Sequence, residues 1–224
     1  RGSSTSRGLG DVYKRQTLLK IILDKEDPMF LSARRATPFL GKQDMAMERI
    51  RAAAGIISRN GASDVWMQKV LGGYHKTGTI ILHAVFESME HSMQVGKSMM
   101  ADPAWSKLMM EREMNPAAEI VGPELFRRVA GDDGKDEYES TMVREYALPR
   151  ENLSNAISMV PNIESMFSEH DVNVSMWSPV IAEDMQRIYV AYSGVDIVAI
   201  GKAVDQVGLS KEFQAMLVDA SKLG

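Results

Sequence analysis

His83 stands in the middle of the apolar run Thr79 to Phe86, with Ile81 and Val85 two positions away on either side. In a strand those three side chains share one face. An imidazole placed there can serve as a general base, or as a core histidine satisfied by one hydrogen bond, which is the commoner use. Two further stripes alternate cleanly. Arg187, Tyr189, Ala191 and Ser193 interleave with Ile188 and Val190, and Asn173, Ser175 and Trp177 interleave with Val172, Val174 and Met176. Arg34 and Arg144, with Tyr146, are the polar candidates of two other strands. Gathered around one cavity, these residues would suit an aromatic or polar small organic molecule, with rings to stack and donors to orient it. His83 would be the general base and Tyr189 the hydrogen-bond donor, with Trp177, Asn173, Arg144, Arg187 and Arg34 as ligand-binding residues. The competing reading is plainer: Trp66, Trp105 and Trp177 pack, and the arginines and serines stand exposed at strand edges. A one-residue slip in any strand exchanges its two faces.

Other chemistry is sparse. His75 and His91 fall in a loop and on a helix face, without the i+4 partner that helical metal ligation needs. There are no cysteines, which excludes disulfides and thiolate metal sites. No nucleophile elbow, phosphate loop, HExxH or paired-carboxylate signature occurs. The acidic run Asp132-Asp133-Gly134-Lys135-Asp136-Glu137 lacks the terminal glutamate of a calcium loop. A net charge of −4 with no basic run argues against nucleic acid as a partner. The longest apolar runs fall short of the roughly 18 residues of a membrane span, so a soluble, cytoplasmic protein is expected. The 17 methionines read as adaptable core filling.

The elements that must position these residues follow from periodicity. Strands are expected at Phe30–Phe39, Asp64–Leu71, Thr79–Phe86 and Pro123–Val129, then at Thr141–Leu148, Asp171–Ile181 and Gln186–Ser193. Helices are expected from Asp44 to the Asn60-Gly61 stop, over Met89–Met100, from the Asp102-Pro103 break to about Met114, over Glu151–His170, and over Val195–Val207 and Lys211–Leu223. Pro161 should kink or split its helix.

This pattern is written twice. Shifted by 110 positions, Arg144 falls on Arg34, Val160 on Ile50 and Phe167 on Ile57; at 106, Tyr189 falls on His83; at 105, Gly201-Lys202 falls on Gly96-Lys97. Each copy reads strand, helix, strand, strand, helix, much of a split βαβ unit. The expected class is therefore α+β: two tandem ferredoxin-like repeats forming a single-chain α+β barrel, antiparallel sheets with helices outside. The repeats span residues 29–131 and 140–224, joined by an acidic linker, 132–139. The second copy lacks a counterpart of Pro123–Val129, so its last strand is expected to be missing, leaving a sheet edge open to a homodimer contact.

In element order and internal repetition the chain resembles the dimeric α+β barrel superfamily, including antibiotic-biosynthesis-monooxygenase-like and NIPSNAP-like proteins. The resemblance implies a small-molecule site in the barrel and a cofactor-independent monooxygenase- or isomerase-like enzyme. The alternative is a non-catalytic interaction or structural protein with a packed barrel. No cofactor is expected; haem is the weaker option, resting on His83 and the resemblance. Residues 1–28 read as a non-native or disordered extension. Asp11 to Gln16 is what GATGTGTATAAGAGACAG encodes, which resembles a transposon end used in sequencing-library adapters and points to a metagenomic fragment. Met29 is then a candidate start.

Overall fold

The computed structural model describes residues 29–132 and 138–224. The extension 1–28, with the adapter reading placed on it, and residues 133–137 of the acidic linker lie outside the described residues.

Among the described residues seven strands form one sheet: β1 (Phe30–Pro38), β2 (Asp64–Lys69), β3 (Ile80–Phe86), β4 (Ala118–Gly131), β5 (Ser140–Ala147), β6 (Asn173–Ile181) and β7 (Arg187–Gly194). Their order is β2-β3-β1-β4-β6-β7-β5, and each paired ladder is antiparallel. The described residues also form six α-helices: α1 (Gln43–Arg59), α2 (Met89–Ala101), α3 (Pro103–Met114), α4 (Leu153–Ser168), α5 (Ile197–Val207) and α6 (Lys211–Ala220). The order β2-β3-β1-β4 is that of a ferredoxin-like unit, and β6-β7-β5 reproduces its first three positions. The chain is an α+β barrel of the ferredoxin-like type, its sheet curled until the two edge strands approach each other. Gln68 Nε2 on β2 donates to Thr141 Oγ1 on β5 across 3.1 Å.

Local chemistry sets the element ends. α1 buries Ala46, Ile50, Ala53, Ile56 and Ile57, an i, i+4, i+7 stripe facing the sheet. Ser88, Asp102, Asp196 and Ser210 cap α2, α3, α5 and α6, each side chain accepting from a backbone N–H in the first turn. Pro103 occupies the first turn of α3, where its missing N–H costs nothing.

Two expectations are corrected. α4 runs through Pro161 without splitting, one of the two expected effects. The proline lies on the exposed side, so the carbonyl it leaves unbonded can turn to water. β4 begins at Ala118, five residues before the expected strand. Its register against β1 shifts between Ala33 and Arg35, and Gly122 and Pro123 sit in that irregularity. Proline is admitted to a central strand only at such a place. Gly122 holds φ +90°, and a Cβ there would meet the Ala33 carbonyl oxygen at 2.9 Å, so glycine is required.

Two hydrophobic cores lie between sheet and helices. In the first half Phe30, Ala36, Ile80, Leu82, Ala84 and Phe86 pack under α1 to α3. In the second, Val174, Met176, Ile188, Val190 and Tyr192 pack under α4 to α6, with the Phe167 ring against both Tyr192 and Phe213. Strand alternation sends the intervening residues to the opposite, concave face.

Candidate functional site on the concave face

The parity of each strand now follows from its core residues. His83 on β3 alternates with buried Leu82 and Ala84 and faces the concave side. Asn173, Ser175 and Trp177 on β6, and Arg187, Tyr189 and Ser193 on β7, do the same. Arg34 and Arg144 do not join them. Arg34 lies on the helix side, its guanidinium 5.4 Å from the Trp105 ring centre of α3; Arg144 lies 5.3 Å from the Tyr192 ring, with Tyr146 packed in the same core. Burial, then the nearby Arg112, holds the Arg34 pKa below its ordinary value. The residues turned to the concave face in those strands are Arg35 and Glu145.

Two side-chain clusters occupy the concave face. In the first, the His83 ring stacks on Trp66 with centres 5.0 Å apart and planes 21° from parallel. Its Nε2 lies 3.1 Å from Gln68 Oε1. An amide oxygen only accepts, so His83 carries its proton on Nε2 and its lone pair on Nδ1. The chain continues from Gln68 to Thr141 and from Thr141 to Ser193 Oγ at 3.2 Å, tying β3, β2, β5 and β7 together. His83 Nδ1 is covered and has no hydrogen-bond partner. Burial lowers the His83 pKa to about 4, so the ring is neutral at pH 7.

The second cluster surrounds Tyr189. Its ring meets Phe126 edge-on at 5.0 Å, and burial, then Glu145 and Glu124, push its pKa up. Arg187 bonds to Asp184 Oδ2 at 2.7 Å and to Glu145, which raise its pKa. Arg35 donates to Glu124 at 2.8 Å and approaches His75 Nε2 at 3.3 Å. Trp177 on β6 is buried and donates from Nε1 to Ser175 Oγ at 3.0 Å. Asn173 turns to the rim, its amide donating to the Asp132 carbonyl at 2.5 Å.

Sequence reasoning missed Gln68, Arg35, Glu124 and Glu145. Gln68 was findable: it sits two residues from Trp66 in a strand hydrogen-bonded to the His83 strand. Among the described residues no group of three or more His, Asp or Glu could hold a metal ion. For a haem iron, His83 Nδ1 is the ring nitrogen left free, because Nε2 is held by Gln68. The fit extends to that single donor atom.

No family model matches the chain, and no curated protein does. Solved structures do. A candidate monooxygenase from Fusobacterium nucleatum subsp. nucleatum aligns over 88% of this chain and 88% of its own, with a TM-score of 0.57 and 9% identity. A candidate monooxygenase from Lactobacillus acidophilus aligns over 88% and 89%, with a TM-score of 0.54 and 11% identity. A candidate chlorite dismutase aligns over 84% and 88%, with a TM-score of 0.51 and 12% identity. At these identities the likeness is one of fold.

Proposed function

We propose that the concave face binds a small organic molecule carrying a hydroxyl or enol group on a flat, partly apolar frame. The observation that carries this is the lone pair of His83 Nδ1: buried, neutral and without a partner, beside an aromatic ring. A buried acceptor left unsatisfied costs about 1–3 kcal/mol, and a ligand hydroxyl would recover it. Trp66 supplies a stacking surface, while Tyr189, Arg187 and Asn173 offer donors further along the same face. The fold shared with candidate monooxygenases supports a small molecule as the occupant. The chemistry that fits best is cofactor-independent, isomerase- or monooxygenase-like, with His83 as the proton acceptor and Tyr189 as the donor. A base of pKa about 4 is a weak one at neutral pH, so hydrogen-bond acceptance precedes any proton transfer.

Arg34 and Arg144 have no part in this reading. A second reading, a non-catalytic protein with a packed barrel, draws on the mutual contacts of Trp66 with His83, Phe126 with Tyr189 and Trp177 with Ser175.

The test is a screen of planar phenols and enols by ligand-observed NMR on the full chain and on His83→Phe. The proposed function predicts hits whose affinity falls about tenfold in the variant, the worth of one hydrogen bond of about 1.4 kcal/mol. Hits that bind both proteins equally, or an absence of hits, favour the packed barrel. Titrating haem into the same pair addresses the weaker cofactor option: an absorbance shift lost in His83→Phe would assign the iron to Nδ1.

A further inference from the structure

The helix side of the first half contains a second place where charge is left unbalanced. On α3 a spacing of seven brings Trp105 and Arg112 to one face. On α1, Arg49 stands on the stripe that runs from Ala46 to Ala53, and β1 adds Arg34 and Ala36 from the sheet. All of these line one cavity of about 50 Å³ between α1, α3 and the sheet. Alanine at positions 36, 46 and 53 leaves the room that a larger side chain would fill. One water needs roughly 10–15 Å³ of such space, so the cavity admits a few waters or one small group.

Three arginines border this cavity and, among the described residues, no carboxylate does. Arg49 donates from Nη1 to the Asn115 carbonyl at 2.5 Å, which fixes the guanidinium and leaves its charge uncompensated. The guanidinium of Arg34 rests 5.4 Å from the Trp105 ring centre. Neither the Arg34 nor the Arg112 side chain has an ion-pair or hydrogen-bond partner among the described residues. Arg112 is near enough to Arg34 that its charge adds to burial in lowering the Arg34 pKa. Like charges held together against an apolar lining oppose folding, and a bound anion would offset that cost. Arg34, Arg49, Arg112 and Trp105 are each only half-buried, so a small solute can reach them.

We propose that this cavity is an anion site for a short organic acid, its carboxylate held by Arg34 from the sheet and by Arg49 and Arg112 from the two helices. The planar guanidinium matches a carboxylate in two parallel hydrogen bonds. The aliphatic end of the acid would lie against Trp105 and Met109. This site is on the opposite face of the sheet from His83, so it stands or falls separately from the concave-face reading.

The experiment is a titration of the full chain with sodium propionate at constant ionic strength, followed by NMR of the indole N–H signals, with Trp105 assigned through Trp105→Phe. The expected result is a saturable shift of the Trp105 signal, with affinity at least about tenfold weaker in Arg34→Met. Arg112→Gln, at a half-exposed helix end, should weaken binding in the same direction and keeps the test available if Arg34→Met fails to fold. The His83 imidazole signals should stay in place. Propionamide, which has the same shape without the charge, should leave the Trp105 signal unmoved. Four results would overturn the proposal: no saturable Trp105 shift, equal binding of propionamide, inorganic phosphate binding as tightly as propionate, or a shift of His83 in place of Trp105.

Discussion

The two faces of this one sheet carry opposite kinds of chemistry. On the helix side of the second half, Val160, Phe167, Val174 and Ala203 are fully buried and make purely apolar contacts. On the concave side the same strands present Thr141, Glu145, Ser175 and Arg187, each engaged in a hydrogen bond or ion pair, and Tyr189, whose ring meets Phe126 edge-on. The helix side therefore carries stability through burial, at about 25 cal/mol per Å² of apolar surface. The concave side holds polar groups in position and leaves the buried His83 Nδ1 unspent. Arg34 and Arg144 show that residue type alone does not mark the face: both are charged, yet each lies on the packed side over an aromatic ring.

The comparison breaks most sharply at Phe167. Phe167→Ala should cost about 3–5 kcal/mol in urea denaturation, through lost transfer and a cavity against Tyr192 and Phe213, while leaving ligand hits unchanged. His83 gives the next effect. Its folded pKa is depressed to about 4 from 6.5, so between those values the unfolded chain holds a proton that the folded chain does not. Stability is fully present above pH 6.5 and falls by roughly 3 kcal/mol as pH drops to 4, a slope that His83→Phe should remove. Gln68→Leu should cost about 1–3 kcal/mol by stranding both imidazole nitrogens, and release the β2–β5 link. Arg144→Met should cost on the order of 1 kcal/mol, the loss of a stacked cation, with no effect on binding. Tyr189→Phe should leave stability within about 0.5 kcal/mol and weaken only those hits that reach the second cluster.

Element order was legible in the sequence because each strand and helix carried its own period and its own stops. Asn60-Gly61 and Asp102-Pro103 mark helix ends through backbone constraints that act locally. The faces of β3, β6 and β7 were legible for a similar reason: one parity is aliphatic throughout, as in Val174 and Met176 or Ile188 and Val190. In β1 and β5 it was not. Leu31, Ala33 and Arg35 oppose Phe30, Arg34 and Ala36, and Thr141, Val143 and Glu145 oppose Met142, Arg144 and Tyr146, so both parities mix apolar and charged groups. Only the aromatic partner on a distant helix or strand, Trp105 or Tyr192, decides which arginine turns inward. The His83–Gln68–Thr141–Ser193 chain was illegible because it joins strands that meet only when the sheet curls. The early start of β4 was hidden by Gly122-Pro123, which reads as a break until the bulge against Ala33 is seen.

The most direct measurement is a pH titration of ¹⁵N-labelled histidine side chains by NMR, with His83 assigned through His83→Phe. The account predicts that His83 stays neutral down to about pH 4, with its proton on Nε2 and a free Nδ1. A midpoint near 6.5, or a proton on Nδ1, would contradict it, because the concave face would then hold an ordinary solvated histidine and no unspent acceptor.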